Sequence, residues 1–105
     1  MKKYTLSKEN KAAATAIGRY LKEHKAMSLV EFKRQWCKAR GWKGWYAFGR
    51  YKVEAHEWYF HENNYYNTIQ FLRNHNIMTR KTVNGFVLYV ATQKCVRAKE
   101  ENWFK

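Results

Sequence analysis

Aspartate and proline are both missing from this chain of 105 residues, and cysteine occurs only twice. Without proline, and without any stretch rich in glycine or serine, nothing reads as a linker; no internal repeat is present either, so residues 1–105 are expected to form one domain. Cys37 and Cys95 stand alone with no CxxC spacing, which argues against a disulfide framework and for two reduced thiols, one on a helix and one in the C-terminal tail. No apolar run approaches the roughly 18 residues of a membrane-spanning helix. The basic start MKKYTLSKENK is not followed by an apolar signal core, so the expected location is cytoplasmic, or the host cytoplasm if the source is a virus.

Catalytic signatures are equally scarce. There is no GxxxxGK[ST] loop and no GxSxG elbow. His56, Glu57 and His61 give HExxxH rather than HExxH, which puts the second histidine about 140° around a helix from the first, too far to share a metal. His56, Glu57, His61 and Glu62 offer acid–base groups, but nothing in their spacing demands nuclease chemistry. With glutamate as the only carboxylate and no cysteine pair, no metal, cofactor or enzymatic activity is expected.

What the chain does have is positive charge. Lysine and arginine number 21 against 8 glutamates, a net charge of +13, and such an excess on a short chain calls for a polyanionic partner. Nucleic acid is favoured over an acidic protein, and an anionic membrane comes last. A hydrophobic share of 46% and an aromatic share of 18% argue for a folded core rather than disorder.

Ser7 is placed as the N-cap of a helix running to about Lys25, with Ala13, Ala16, Ile17, Tyr20, Leu21 and His24 as its apolar stripe and Lys8, Lys11, Arg19 and Lys22 opposite. Ser28 and Glu31 have capping-box spacing, and Met27 with Phe32 is placed as a hydrophobic staple. This second helix is expected to reach about Arg40, with Gly41 closing it. Leu29, Phe32, Trp36 and Cys37 form its buried side; Lys33, Arg34, Lys38 and Arg40 form a basic outer surface suited to phosphates.

Residues 41–61 form an aromatic-rich insertion. Trp42, Trp45, Tyr46, Phe48 and Tyr51 alternate with Lys43, Arg50 and Lys52. Trp42, Trp45, Tyr46 and Tyr51 suit stacking on unpaired bases, and the same rings suit a small aromatic core that pins the segment down. A short strand is expected within Trp45 to Tyr51, then a short helix over VEAHEWYFHE.

The most informative stretch runs from Asn63 to Thr92. A helix over NNYYNTIQFLRNHN carries Tyr65, Ile69, Leu72 and Phe71 as its apolar stripe. On its other side Asn63, Asn67, Gln70 and Asn74 recur at spacings of 4, 3 and 4, flanked by Arg73. Such amides bond adenine bidentately through the major groove. Two apolar runs follow, joined by Asn84-Gly85, the residues a type I′ turn requires. That turn pairs Val83 with Phe86, Lys81 with Leu88, Thr79 with Val90 and Ile77 with Thr92, and sets Arg80 opposite Tyr89. Ile77, Val83, Phe86, Leu88 and Val90 are expected to face the core; Met78, Arg80, Thr82, Val87, Tyr89 and Ala91 face away. The last segment, TQKCVRAKEENWFK, reads either as a short helix with Val96 and Trp103 packing back or as an arm, with Lys94, Arg97 and Lys99 placed to touch a phosphate backbone.

A polar-faced helix leading into an Asn-Gly hairpin resembles the recognition helix and wing of the winged helix-turn-helix superfamily, over residues 63–92. The resemblance implies an α+β fold: a small winged-helix-like domain of three or four helices with a C-terminal β-hairpin. It departs from the usual turn of three or four residues between the two helices of the motif, because more than twenty separate Arg40 from Asn63; the short helix near residues 53–60 would supply a fourth helix before the wing. The function expected is that of a double-stranded DNA-binding regulator or accessory factor. The amide row would read bases, Arg80, Lys81 and Tyr89 would touch backbone or minor groove, and Lys33, Arg34, Lys38 and Arg40 would hold phosphates. Single-strand binding through the aromatic insertion and inhibition of a protein partner through the basic surface are the alternatives. Brevity, absence of proline and abundance of Lys, Asn and aromatics fit a phage or mobile-element protein.

Overall fold

The computed structural model describes the backbone of residues 6–41, 45–48, 51–54 and 63–105, with side chains for residues 6–41 and 66–105. Ser7 starts α1 (Lys8–His24) by accepting the Asn10 N–H at 3.2 Å. Lys25 ends it in the left-handed region at φ 71, its N–H bonded to the Leu21 carbonyl at 2.7 Å. That reversal throws the chain into a three-residue strand, β1 (Ala26–Ser28), which the sequence reading did not anticipate. Three residues are too few to show a period.

Ser28 then caps α2 (Leu29–Ala39), accepting the Glu31 N–H at 3.1 Å. Gly41 follows the helix at φ 82, the conformation that glycine adopts without steric cost. Two paired strands come next, β2 (Trp45–Phe48) and β3 (Tyr51–Glu54), joined in register from Trp45↔Glu54 to Phe48↔Tyr51. Val53 and Glu54 are therefore strand, where a helix was expected, and the rest of that expected helix lies outside the described residues. The insertion thus begins as a β-ribbon.

The helix α3 (Asn63–Asn74) closes with a hydrogen-bonded reversal. The Ile77 N–H reaches the Leu72 carbonyl at 2.9 Å, the Asn76 N–H reaches that of Arg73 at 3.0 Å, and Asn76 sits at φ 59. This is the Schellman pattern with asparagine in the left-handed position, and its companion apolar residues, Leu72 and Ile77, are both buried. The hairpin β4 (Met78–Val83) and β5 (Phe86–Ala91) has the expected register, Val83↔Phe86 through Met78↔Ala91, around Asn84 at φ 51 and Gly85 at φ 82. Strand β1 joins β5 on its other side, giving a three-stranded antiparallel sheet ordered β1-β5-β4. Thr92 caps α4 (Gln93–Arg97), and a 3-10 turn (Glu100–Asn102) leads to Trp103. The fold is α+β and winged-helix-like, with four helices among the described residues and the hairpin; the fourth of these helices follows the wing rather than preceding it.

Two assignments of face are corrected. In the hairpin the core side is Met78 and Tyr89, 1% and 4% exposed, with Val87 and Ala91 packed beside them. Val83 and Phe86, expected inside, are 47% and 77% exposed. Ile77 is buried as the apolar partner of the helix closure, one residue before the strand begins, so counting the alternation from it inverts both strands. In α1 the buried residues are Asn10, Ala13, Ala14, Ile17, Gly18 and Leu21, while Ala16 and Tyr20 are half-buried and His24 is exposed. The stripe turns toward Ala14 and Gly18 because Trp103, fully buried, docks over Gly18.

The core lies between the inner face of the sheet and α1, α2 and α3, and its largest members include Trp36, Trp103, Phe32 and Leu72. The Trp36 indole donates to Thr68 Oγ at 3.1 Å, tying α2 to α3. Phe32 and Tyr89 meet with ring centroids 5.7 Å apart. Phe104 packs against Phe71 at 4.9 Å, and Lys94 donates to the His75 carbonyl at 2.9 Å, so the C-terminal segment holds down the end of α3.

Candidate nucleic-acid interface

Burial fixes which side of α3 faces out. Thr68, Ile69, Phe71 and Leu72 are buried. At roughly 100° per residue the direction opposite their mean is that of Gln70, with Asn67 and Asn74 on one flank and Tyr66 and Arg73 on the other. Asn67, Asn74, Tyr66 and Arg73 are exposed and Gln70 is half-buried. The amide row thus lies on the outward side of the helix; Asn63 begins the helix, but its side chain lies outside the described residues. Tyr66, 55% exposed, was missed by the sequence reading, although its spacing of seven from Arg73 puts both on one edge.

Strand β4 brings a second cation to this edge. Arg80 is paired across the sheet with Tyr89. Burial pushes the Tyr89 phenol up, and the charges of Arg80 and then Arg73 pull it down, so both guanidinium groups lie within electrostatic reach of one hydroxyl. Arg73 of α3 and Arg80 of β4 thus both act on the Tyr89 hydroxyl. Tyr89 itself is only 4% exposed and packs on Phe32, so it is a core residue rather than a contact surface. Lys81 is exposed but occupies the other face of the strand, with Leu88.

The α2 cations divide in role. Lys38 is exposed, Lys33 is half-buried, and Arg34 is exposed with the Glu31 carboxylate 3.7 Å away. Arg40 is a strut. Its guanidinium lies 5.5 Å from the Trp36 ring centre and donates to Oδ1 of the buried Asn10, fastening the end of α2 to α1. In the C-terminal segment Lys94 is committed to the end of α3, whereas Arg97 and Lys99 are exposed.

The side chains of Trp42, Trp45, Tyr46 and Tyr51, the alternative base-stacking set, lie outside the described residues, as do His56, Glu57, His61 and Glu62. Among the described residues no group of three His, Cys, Asp or Glu converges as a metal site, and no described helix is long and apolar enough to cross a membrane. Comparison with known proteins gave no match to a family model, to a curated protein or to a solved structure.

Proposed function

We propose that this protein binds double-stranded DNA, with α3 in the major groove and the β4–β5 hairpin alongside, as a small regulator or accessory factor. The observation that supports this most is the outward amide face of α3, with Asn67 and Asn74 exposed and Gln70 half-buried between them, together with the exposed Arg73 on the same helix and Arg80 on β4. Amides in a row offer paired donors and acceptors to base edges, which a merely solvated helix face does not need. The arginines at its border supply phosphate contacts that set the helix in register. Lys33, Arg34 and Lys38 on α2 extend the cationic surface.

Fluorescence anisotropy with matched duplex DNA, single-stranded DNA and RNA, each over a salt series, tests the reading. Preference for duplex, with a log–log slope that corresponds to roughly five or more displaced counterions, is the expected result. Preference for single strands would move the site to Trp42, Trp45, Tyr46 and Tyr51. Weak binding to all three would turn attention to a protein partner.

A further inference from the structure

The hairpin ends in an apolar tip that the amide-row interface does not use. Phe86 is 77% exposed and Val83 47%, and the two are partners on the last rung before the turn. Asn84 and Gly85 beyond them are small, and both take positive φ, so the turn is tight and nothing bulky caps the ring. Further down the same face Leu88 and Val90 are half-buried beside Ser28 and Ala26 of β1. Among the apolar residues of this face, exposure is thus concentrated at the tip. Lys81, two residues before Val83 on this face, is the cation nearest the apolar pair along β4.

We propose that Phe86, backed by Val83, is a wedge that enters the minor groove and unstacks one base step, while Lys81 holds the adjoining phosphate. The proposal rests on the duplex-DNA reading and deepens it. An apolar side chain that projects from a rigid turn can insert between base pairs, and the unstacking is least costly at pyrimidine–purine steps. Complementary charge selects this occupant: a chain at net +13 draws in a polyanion, and Arg80 and Lys81 on the same strand are both exposed cations. Among anionic surfaces, the amide row of α3 favours a duplex over a lipid headgroup layer. The wing would then select sites by deformability, at positions where no hydrogen bond reads a base.

The experiment uses the full chain and two duplexes of equal length, one rich in TpA steps and one built of A-tracts, each with 2-aminopurine at a central step. The protein is expected to favour the TpA duplex by roughly tenfold and to raise 2-aminopurine fluorescence there. Phe86→Ala should lose both effects and keep the salt slope, because the phosphate contacts remain; Phe86→Trp should retain both. Since Phe86 is exposed, both variants should melt within a degree or two of the parent, and an unfolded Phe86→Ala would itself overturn an exposed tip. Equal preference in the parent and Phe86→Ala overturns the wedge while leaving duplex binding intact. Failure of the parent to bind either duplex overturns both readings. Phosphatidylserine vesicles form the last arm: a Phe86-dependent partition into them, with duplex binding unchanged by Phe86→Ala, would assign the tip to a membrane and overturn the wedge.

Discussion

Trp103 lies so close to Gly18 that a Cβ at position 18 would stand 2.5 Å from its Cζ3 atom. A glycine in mid-helix usually costs about 1 kcal/mol relative to alanine; here it admits the largest side chain of the C-terminal segment to the core. Gly18→Ala should therefore destabilise the domain by about 1–3 kcal/mol despite the better helix propensity, measured by urea denaturation. Stabilisation by that substitution would show that Trp103 does not dock on α1. Trp103→Ala should cost about 3–5 kcal/mol. Trp103→Phe should cost far less than the alanine change, since the Trp103 Nε1 is buried with no hydrogen-bond partner among the described residues and its loss relieves a desolvated donor.

The Trp36–Thr68 hydrogen bond ties α2 to the buried side of α3. Thr68→Val keeps the shape and leaves the indole N–H buried without its acceptor, which should cost about 1–3 kcal/mol. Trp36→Ala should cost about 3–5 kcal/mol. A near-neutral Trp36→Ala would mean that the ring is not in the core.

Replacing Asn84-Gly85 by Ala-Ala forces two side chains into positive φ, at 51 and 82. About 1 kcal/mol per residue is expected, or a fall of several degrees in Tm for a domain of this size. An unchanged Tm would argue against the two-residue turn.

The thiols supply a pH prediction. Burial pushes the Cys37 thiol from 9.0 to about 11, and burial also raises Cys95, whose Sγ donates to the Gly18 carbonyl at 3.4 Å. A raised folded-state pKa favours the protonated form in the native protein. The resulting stability is full below the unfolded thiol's pKa and is lost as pH rises from 9.0 toward about 11. Chemical denaturation should show that alkaline loss, reduced in Cys37→Ala after allowance for the lost packing. At neutral pH both thiols should react with a disulfide reagent only at the rate of unfolding; prompt reaction of either would contradict its burial.

On the proposed interface, Gln70→Ala and Asn67→Ala should each reduce discrimination between sites by about 1–3 kcal/mol with little change in salt slope. Arg73→Ala or Arg80→Ala should weaken all duplexes alike and lower the slope by about one. Arg40→Ala should instead lower Tm, because Arg40 joins Trp36 and Asn10 rather than reaching outward.

The sequence alone determined the local devices. The caps at Ser7 and Ser28, the Gly41 closure, the Asn-Gly turn and its register, and the spacing that puts the amides on one side of α3 all depend on residues within a few positions of one another. Their physics is complete before the chain folds. Tertiary structure decided what depends on distant partners. Strand β1 exists because β5 is there to pair with it, and the α1 stripe turns toward Gly18 because Trp103 arrives from the far end of the chain. The hairpin's core face is set by Tyr89 packing on Phe32, whereas hydrophobicity favoured the face of Val83 and Phe86. Alternation identifies two faces of a strand, and only the packing partner decides which is covered; here that choice left Phe86 at the tip, open to solvent.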